Sequence, residues 1–187
     1  MGYEIIIIAV LVLIAGPIVY FVSQNSHKSR CNTYHEILTS HGITPSVEYT
    51  YTTAIGSKYV NFSIDENNQK VCIFTGQTSY DILSFSDMLG AEICVDNQVI
   101  DGFGSTLMGG VIAGSVGAII GAMSSHAAIC SYKVIIYTKQ ISTPKRVITL
   151  IESKTSKDDI DYLNAVNFAD SIIATTKAII SLNTTNQ

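Results

Sequence analysis

Charged residues are scarce in this sequence. Only 14% of its 187 residues are charged, and acidic residues outnumber basic ones by 15 to 11. A nucleic-acid-binding domain would present a basic face, so a net charge of −4 argues against a nucleic-acid partner. The four cysteines form no CxxC pair, which favours buried free thiols in a reducing compartment over a disulfide framework.

Sequence motifs of enzymes are also missing. We find no nucleophile elbow, Walker loop, HExxH motif or Rossmann fingerprint, since Gly102-Phe-Gly104 is followed by Leu107 rather than by a third glycine. His27, Cys31 and His35 are spaced by four residues, but structural zinc sites normally close four ligands with clear spacing. We therefore predict a non-enzymatic protein with no cofactor and no metal site.

An apolar run occupies the N-terminus. Ile5 to Val22 contains no charged residue and approaches the roughly 20 residues that cross a bilayer core. A signal peptide would start with basic residues, and none precede this run. Lys28 and Arg30 follow it, so the positive-inside rule places the main domain on the cytoplasmic side. We predict a single-pass transmembrane anchor over residues 1–24, with the N-terminus outside.

A linker with a short helix is predicted over residues 25–45. Thr33 and Glu36 have the spacing of a capping box, and Gly42 suits the position after a helix end. This pattern predicts a helix from about Thr33 to His41.

From residue 46 onwards the hydrophobic period is two, which is typical of strands. Seven antiparallel strands are predicted, at about 47–52, 60–64, 71–74, 80–85, 91–96, 130–138 and 146–151. Ser156 with Asp159 then indicates a helix N-cap. Helical spacing predicts an amphipathic helix through about Leu182 that covers the sheet. Its predicted apolar face consists of Ile160, Leu163, Val166, Ala169, Ile173 and Ile180.

The segment 102–128 interrupts the strands without a single charged residue. Small residues recur there at four-residue spacing, which lets a second backbone approach a helix closely in lipid. The predicted helix-packing or membrane contacts are Gly109, Gly110, Ala113, Gly114, Gly117 and Gly121. A single membrane pass would separate the flanking strands across the bilayer, so a helical hairpin is predicted. A Gly-rich soluble hairpin or a mobile loop is the alternative.

The order of elements from Val47 to Leu182 resembles a pleckstrin-homology-like barrel, in which a C-terminal helix plugs one open end. The segments Ile82 to Ile93 and Gly109 to Gly121 also resemble small bacterial and phage-associated proteins that carry a Gly-rich hydrophobic insertion in such a domain. The resemblance implies an α+β fold with a PH-like β domain over residues 46–187. A generic sheet-plus-helix domain is the structural alternative.

These patterns predict a membrane-anchored interaction or scaffold protein. Its glycine-rich segment would contact the lipid bilayer, a second copy in a homo-oligomer, or a protein partner. A lipid-headgroup site is weakly supported, because Lys145 and Arg146 form the single basic doublet in the β domain. A pore-forming effector of phage or defence origin is the alternative function, and an enzyme on a membrane anchor is a third.

Overall fold

The computed structural model of the protein describes residues 28–54, 58–76, 79–101 and 128–185. The predicted transmembrane segment and all but the last residue of the glycine-rich segment lie outside these residues. The described part has an α+β fold with antiparallel sheets and a C-terminal helix, as predicted.

Two α-helices, one 3-10 turn and ten strands make up the described residues. Helix α1 covers residues 28–40, and helix α2 covers Ile160–Thr185. The strands are β1 Val47–Thr52, β2 Tyr59–Asp65, β3 Lys70–Phe74, β4 Tyr80–Ser84, β5 Met88–Val95, β6 Gln98–Asp101, β7 Ala128–Ile129, β8 Tyr132–Thr138, β9 Lys145–Ile151 and β10 Thr155–Ser156, with the 3-10 turn Phe85–Asp87 between β4 and β5.

The predicted count of seven strands is wrong, although each of the seven is present. The additional strands are β6, β7 and β10, which have four, two and two residues. Strands this short cannot establish a two-residue period in the sequence. Tertiary pairing holds them instead, since β6 pairs with β5 and β7 pairs with β10.

The strands form two four-stranded sheets and one short pair. The first sheet has the order β1-β2-β3-β4, and the second has the order β6-β5-β8-β9. All pairings are antiparallel. The inner faces of both sheets and the buried face of α2 share one hydrophobic core, which includes Phe62, Ile93, Ile136, Leu150 and Phe168.

Helix α2 begins later and buries a different face than the sequence predicts. Asp159 caps it, because its Oδ1 accepts a hydrogen bond from the Asp161 N–H at 2.9 Å, whereas Ser156 lies in β10. Ile160 and Leu163 are 55% and 47% exposed. The buried face runs through Tyr162, Ala165, Val166, Phe168, Ala169, Ile172, Ile173, Thr176 and Ile179. The predicted face is therefore correct in its middle and wrong at its start.

Helix α2 is long and apolar enough to cross a membrane by length and composition, and it is the single such helix in the described residues. Its buried side chains belong to the same core as both sheets. This packing assigns it to the interior of the β domain, where any helix covering two sheets must carry a wide apolar face.

Helix α1 starts earlier than predicted. Thr33 lies inside it, since its Oγ1 donates a hydrogen bond to the Ser29 carbonyl at 3.1 Å, so the predicted capping box is wrong. The predicted end is confirmed. Gly42 has a φ of +61°, and the Ile43 N–H donates to the Leu38 carbonyl at 2.9 Å, which is the hydrogen bond of a Schellman motif.

Helix α1 packs on the first sheet. A second hydrophobic cluster, separate from the main core, joins Tyr34, Leu38 and Ile43 to Tyr59, Cys72 and Phe74. The residues predicted to be a linker are therefore largely part of the folded domain.

Candidate functional site

The glycine-rich segment leaves and rejoins the fold on the two sides of one strand. Its described flanks are β6, which ends at Asp101, and the residues from Ala128 onwards. Asp101 pairs with Ile93 on one side of β5, and Tyr132 pairs with Val95 on the other side. Because neighbouring strands lie about 4.8 Å apart, β6 and β8 are separated by only ~10 Å across the sheet.

Asp96 fixes the point where the chain returns to the sheet. Asp96 and Asn97 form the two-residue turn between β5 and β6, with φ values of 48° and 67°. Positive φ at both positions is typical of a type I′ hairpin turn, which Asp and Asn tolerate. Asp96 Oδ1 accepts hydrogen bonds from the N–H groups of Cys130 and Ser131, each at 2.8 Å. The return strand is thus held by a carboxylate as well as by its pairing.

A cleft of about 510 Å³ lies at the end of the domain beside this return point. We call it the junction cleft. Arg30 of α1 and Thr155 of β10 both line it, and Thr155 pairs with Ile129 of β7. Residue Arg30 of α1 and the strand that pairs with β7 therefore line the same cleft.

The charges that line the junction cleft are largely matched. Lys58 Nζ lies 3.4 Å from Glu152 Oε1, and Asp161 Oδ1 accepts a hydrogen bond from the Ala54 N–H at 2.6 Å. Burial, together with the charges of Asp161 and Asp159, raises the pKa of Tyr51 to about 12. A site for a polyanionic headgroup would need an excess of basic side chains, and this cleft does not have one among its described residues.

The predicted contact residues Gly109, Gly110, Ala113, Gly114, Gly117 and Gly121 lie outside the described residues. What the structure describes is the base of their segment. Sequence reasoning missed Asp96 and the junction cleft. The Asp96-Asn97 pair was a usable signal for a hairpin turn, but nothing local indicates that its carboxylate binds residues more than thirty positions away.

Comparison with known proteins agrees with this architecture. A family model described as a glycine zipper containing PH domain matches residues 48–152, more than half of the chain. The chain belongs to this family. No curated protein and no solved structure matches it.

The match to the glycine zipper containing PH domain family begins within β1 and ends directly after β9. It therefore includes the glycine-rich segment and excludes α1 and α2. The PH-like fold and the glycine zipper of the predicted resemblance are confirmed, while a bacterial or phage origin stays a prediction. PH-like domains are generally non-enzymatic.

Proposed function

We propose that this protein is a membrane-anchored, non-enzymatic interaction protein. Residues 1–24 anchor it with the N-terminus outside, and the PH domain lies on the cytoplasmic side. Its glycine zipper, through Gly109 to Gly121, packs against a second copy, a partner segment or the bilayer.

The observation that carries this proposal is the shared position of the two junctions. Arg30 lies six residues after the predicted anchor of residues 1–24, and Ile129 directly follows the glycine-rich segment 102–128. Arg30 and the pairing partner of Ile129 line one cleft. In this proposal, a bilayer that holds the N-terminal apolar run lies beside the end of the domain to which the glycine-rich segment returns.

The docking of α1 supports close attachment of the domain to its anchor. The Tyr34 hydroxyl donates a hydrogen bond to Glu48 Oε1 at 2.6 Å and contacts the Ser63 hydroxyl. Ser63 in turn donates to Asn61 Oδ1 at 2.7 Å. A polar network and an apolar cluster together fix the orientation of α1 on the sheet. An anchor joined to α1 then orients the whole PH domain.

The ionisable groups that line the junction cleft are engaged in contacts within the domain. Among the described residues, no group of three or more His, Cys, Asp or Glu side chains is placed to hold a metal ion. In the junction cleft, Glu152 is paired with Lys58, and Asp161 accepts a backbone hydrogen bond. Catalytic acid–base pairs need convergent groups free to reach a substrate.

Oligomer size tests the glycine zipper. Gly117→Leu fills the groove that small residues leave for a second backbone, so we expect the purified full chain in detergent to elute as a smaller species. Val116→Leu, which changes the neighbouring position by one methylene, is the matched control and should leave the size unchanged. Equal elution of both variants and the parent chain would contradict zipper-mediated self-association.

Membrane fractionation tests the anchor. We expect removal of residues 1–24 to release the protein from alkaline-washed membranes, because the remaining glycine-rich segment is too short for a hairpin to span a bilayer. Retention of the truncated chain would refute the N-terminal anchor.

Ion leakage from expressing cells that disappears with Gly117→Leu would instead support the pore-forming alternative.

A further inference from the structure

The first sheet has two edge strands among the described residues, β1 and β4, and β1 is the edge beside α2. In the described residues β1 pairs with β2 and with no other strand. Exposed edges present unpaired backbone groups, and proteins usually protect them with lysine, proline or a covering element. The sequence of β1 is Val-Glu-Tyr-Thr-Tyr-Thr, which has one charge and no proline.

Three residues of β1 direct their backbone groups away from β2. The Thr53 N–H donates to the Lys58 carbonyl at 3.3 Å, which continues the register Thr52↔Tyr59. Hydrogen-bonded pairs alternate with non-hydrogen-bonded pairs in an antiparallel ladder. The N–H and C=O groups of Glu48, Thr50 and Thr52 therefore point outward.

A groove of about 430 Å³ follows this edge. Its floor includes Glu48, Thr50 and Thr52, and its wall on α2 includes Asn164, Asn167 and Ser171. A groove that selects an extended peptide of another protein usually has pockets for every second side chain of that peptide. The wall here consists mainly of amides and a hydroxyl, which both donate and accept hydrogen bonds.

We propose that β1 pairs antiparallel with the β1 strand of a second copy, about a two-fold axis at Thr50. This register places Thr50 opposite its own copy and Glu48 opposite Thr52 of the other chain. All three outward-facing residues then have partners, and no like charges meet. An axis at residue 49 or 51 would leave Thr52 or Glu48 unpaired.

The proposed contact joins two first sheets into one eight-stranded sheet and pairs the β1 edge of both copies. Threonine pairs directly opposite each other are favourable in antiparallel sheets. The axis also closes the assembly at two chains, as an isologous interface requires. This contact uses no part of the glycine-rich segment and therefore goes beyond the function proposed above.

Disulfide trapping tests the register. Thr50→Cys and Thr52→Cys are compared in full chains in which Cys31 and Cys130 are replaced by serine. Thr50 would lie about 5.5 Å from its copy between Cα atoms, which is within disulfide range. Thr52 would lie four residues from its copy along the strands, or about 13 Å. We expect roughly tenfold more disulfide dimer for Thr50→Cys, and equal trapping would overturn the register.

Charge pairing tests the symmetry. Thr50→Lys and Thr50→Glu each place like charges across the axis, so we expect either chain alone to elute as a smaller species than Thr50→Ala, and a mixture of the two to recover the larger size. Thr50→Ala is the matched control, because all three variants lose the hydrogen bond from Asn61 Nδ2 to Thr50 Oγ1. A mixture that stays at the smaller size overturns the proposal. An oligomer insensitive to both charges but disrupted by Gly117→Leu also overturns it and assigns self-association to the zipper.

Discussion

The docking of α1 can be weakened without unfolding the PH domain. Leu38 is buried in the second cluster, which is separate from the main core. Leu→Ala substitutions at buried sites cost about 2–5 kcal/mol, and we take about 2–3 kcal/mol because the cluster is small. We expect the substitution to lower the free energy needed to detach α1 from the first sheet, because local units open with lower free energy than the whole fold.

The Cys72 thiol is a built-in reporter of this detachment. It is fully buried in the same cluster as Leu38, and burial, with a contribution from the charge of Asp81, raises its pKa to about 11. A reagent can therefore alkylate Cys72 only when α1 has detached from the first sheet. Since 1.4 kcal/mol corresponds to a factor of ten, Leu38→Ala should accelerate Cys72 alkylation about 30- to 150-fold.

Peptide-resolved mass spectrometry measures alkylation of Cys72 and of Cys94, which is buried in the second sheet. Leu38→Ala should leave the Cys94 rate nearly unchanged. Leu83→Ala is the matched control, because Leu83 is buried in the main core and its loss should accelerate both thiols. If Leu38→Ala accelerates Cys72 and Cys94 equally, α1 is not an independent unit and the reasoning is refuted.

Three further changes test individual contacts. Asp96→Gly keeps the positive φ but removes the acceptor of two N–H groups, and should lower the free energy of unfolding by about 1–2 kcal/mol in urea titration. Arg146 joins the two sheets through an ion pair with Asp81, with Nε 2.7 Å from Oδ1. A double-mutant cycle of Arg146→Gln with Asp81→Asn should give a coupling of about 0.5–1 kcal/mol, and zero coupling would contradict a stabilising contact between the sheets. Burial alone would raise the pKa of Asp65, but hydrogen bonds from Asn68 and Thr44 outweigh it and lower the pKa. Because the folded pKa lies below the unfolded value, this stabilisation is complete above about pH 4 and is lost as pH falls further. Asp65→Asn should therefore flatten acid unfolding, and an unchanged acid profile would contradict the assignment.

The prediction of elements succeeded where side-chain periodicity is strong. Val47 to Thr52 alternates cleanly between apolar and polar residues, and β1 has these bounds. Gly42 was predicted as a helix end for a local reason, namely that glycine accepts a positive φ. The same local reasoning failed at Thr33, because a capping-box spacing does not exclude a threonine inside a longer helix.

Tertiary contacts decided what the pattern left open. Ile160 and Leu163 have helical spacing, but they lie in the first turn of α2, where the sheets do not cover them. Strand β7 has two residues and exists because β10 is beside it. Neither the exposure of these two side chains nor the existence of β7 can be predicted from the neighbouring residues in the sequence.

The sequence by itself determined the α+β class, the seven long strands, the C-terminal helix and the presence of a charge-free segment rich in small residues, because each follows from the spacing and type of adjacent side chains. Only the tertiary structure decided that α1 packs on the first sheet, that Asp96 holds the return strand, and that Arg30 of α1 lines one cleft with Thr155, the pairing partner of Ile129 in β7. These features depend on contacts between residues far apart in the chain, and such contacts are fixed only when the two sheets close on a common core.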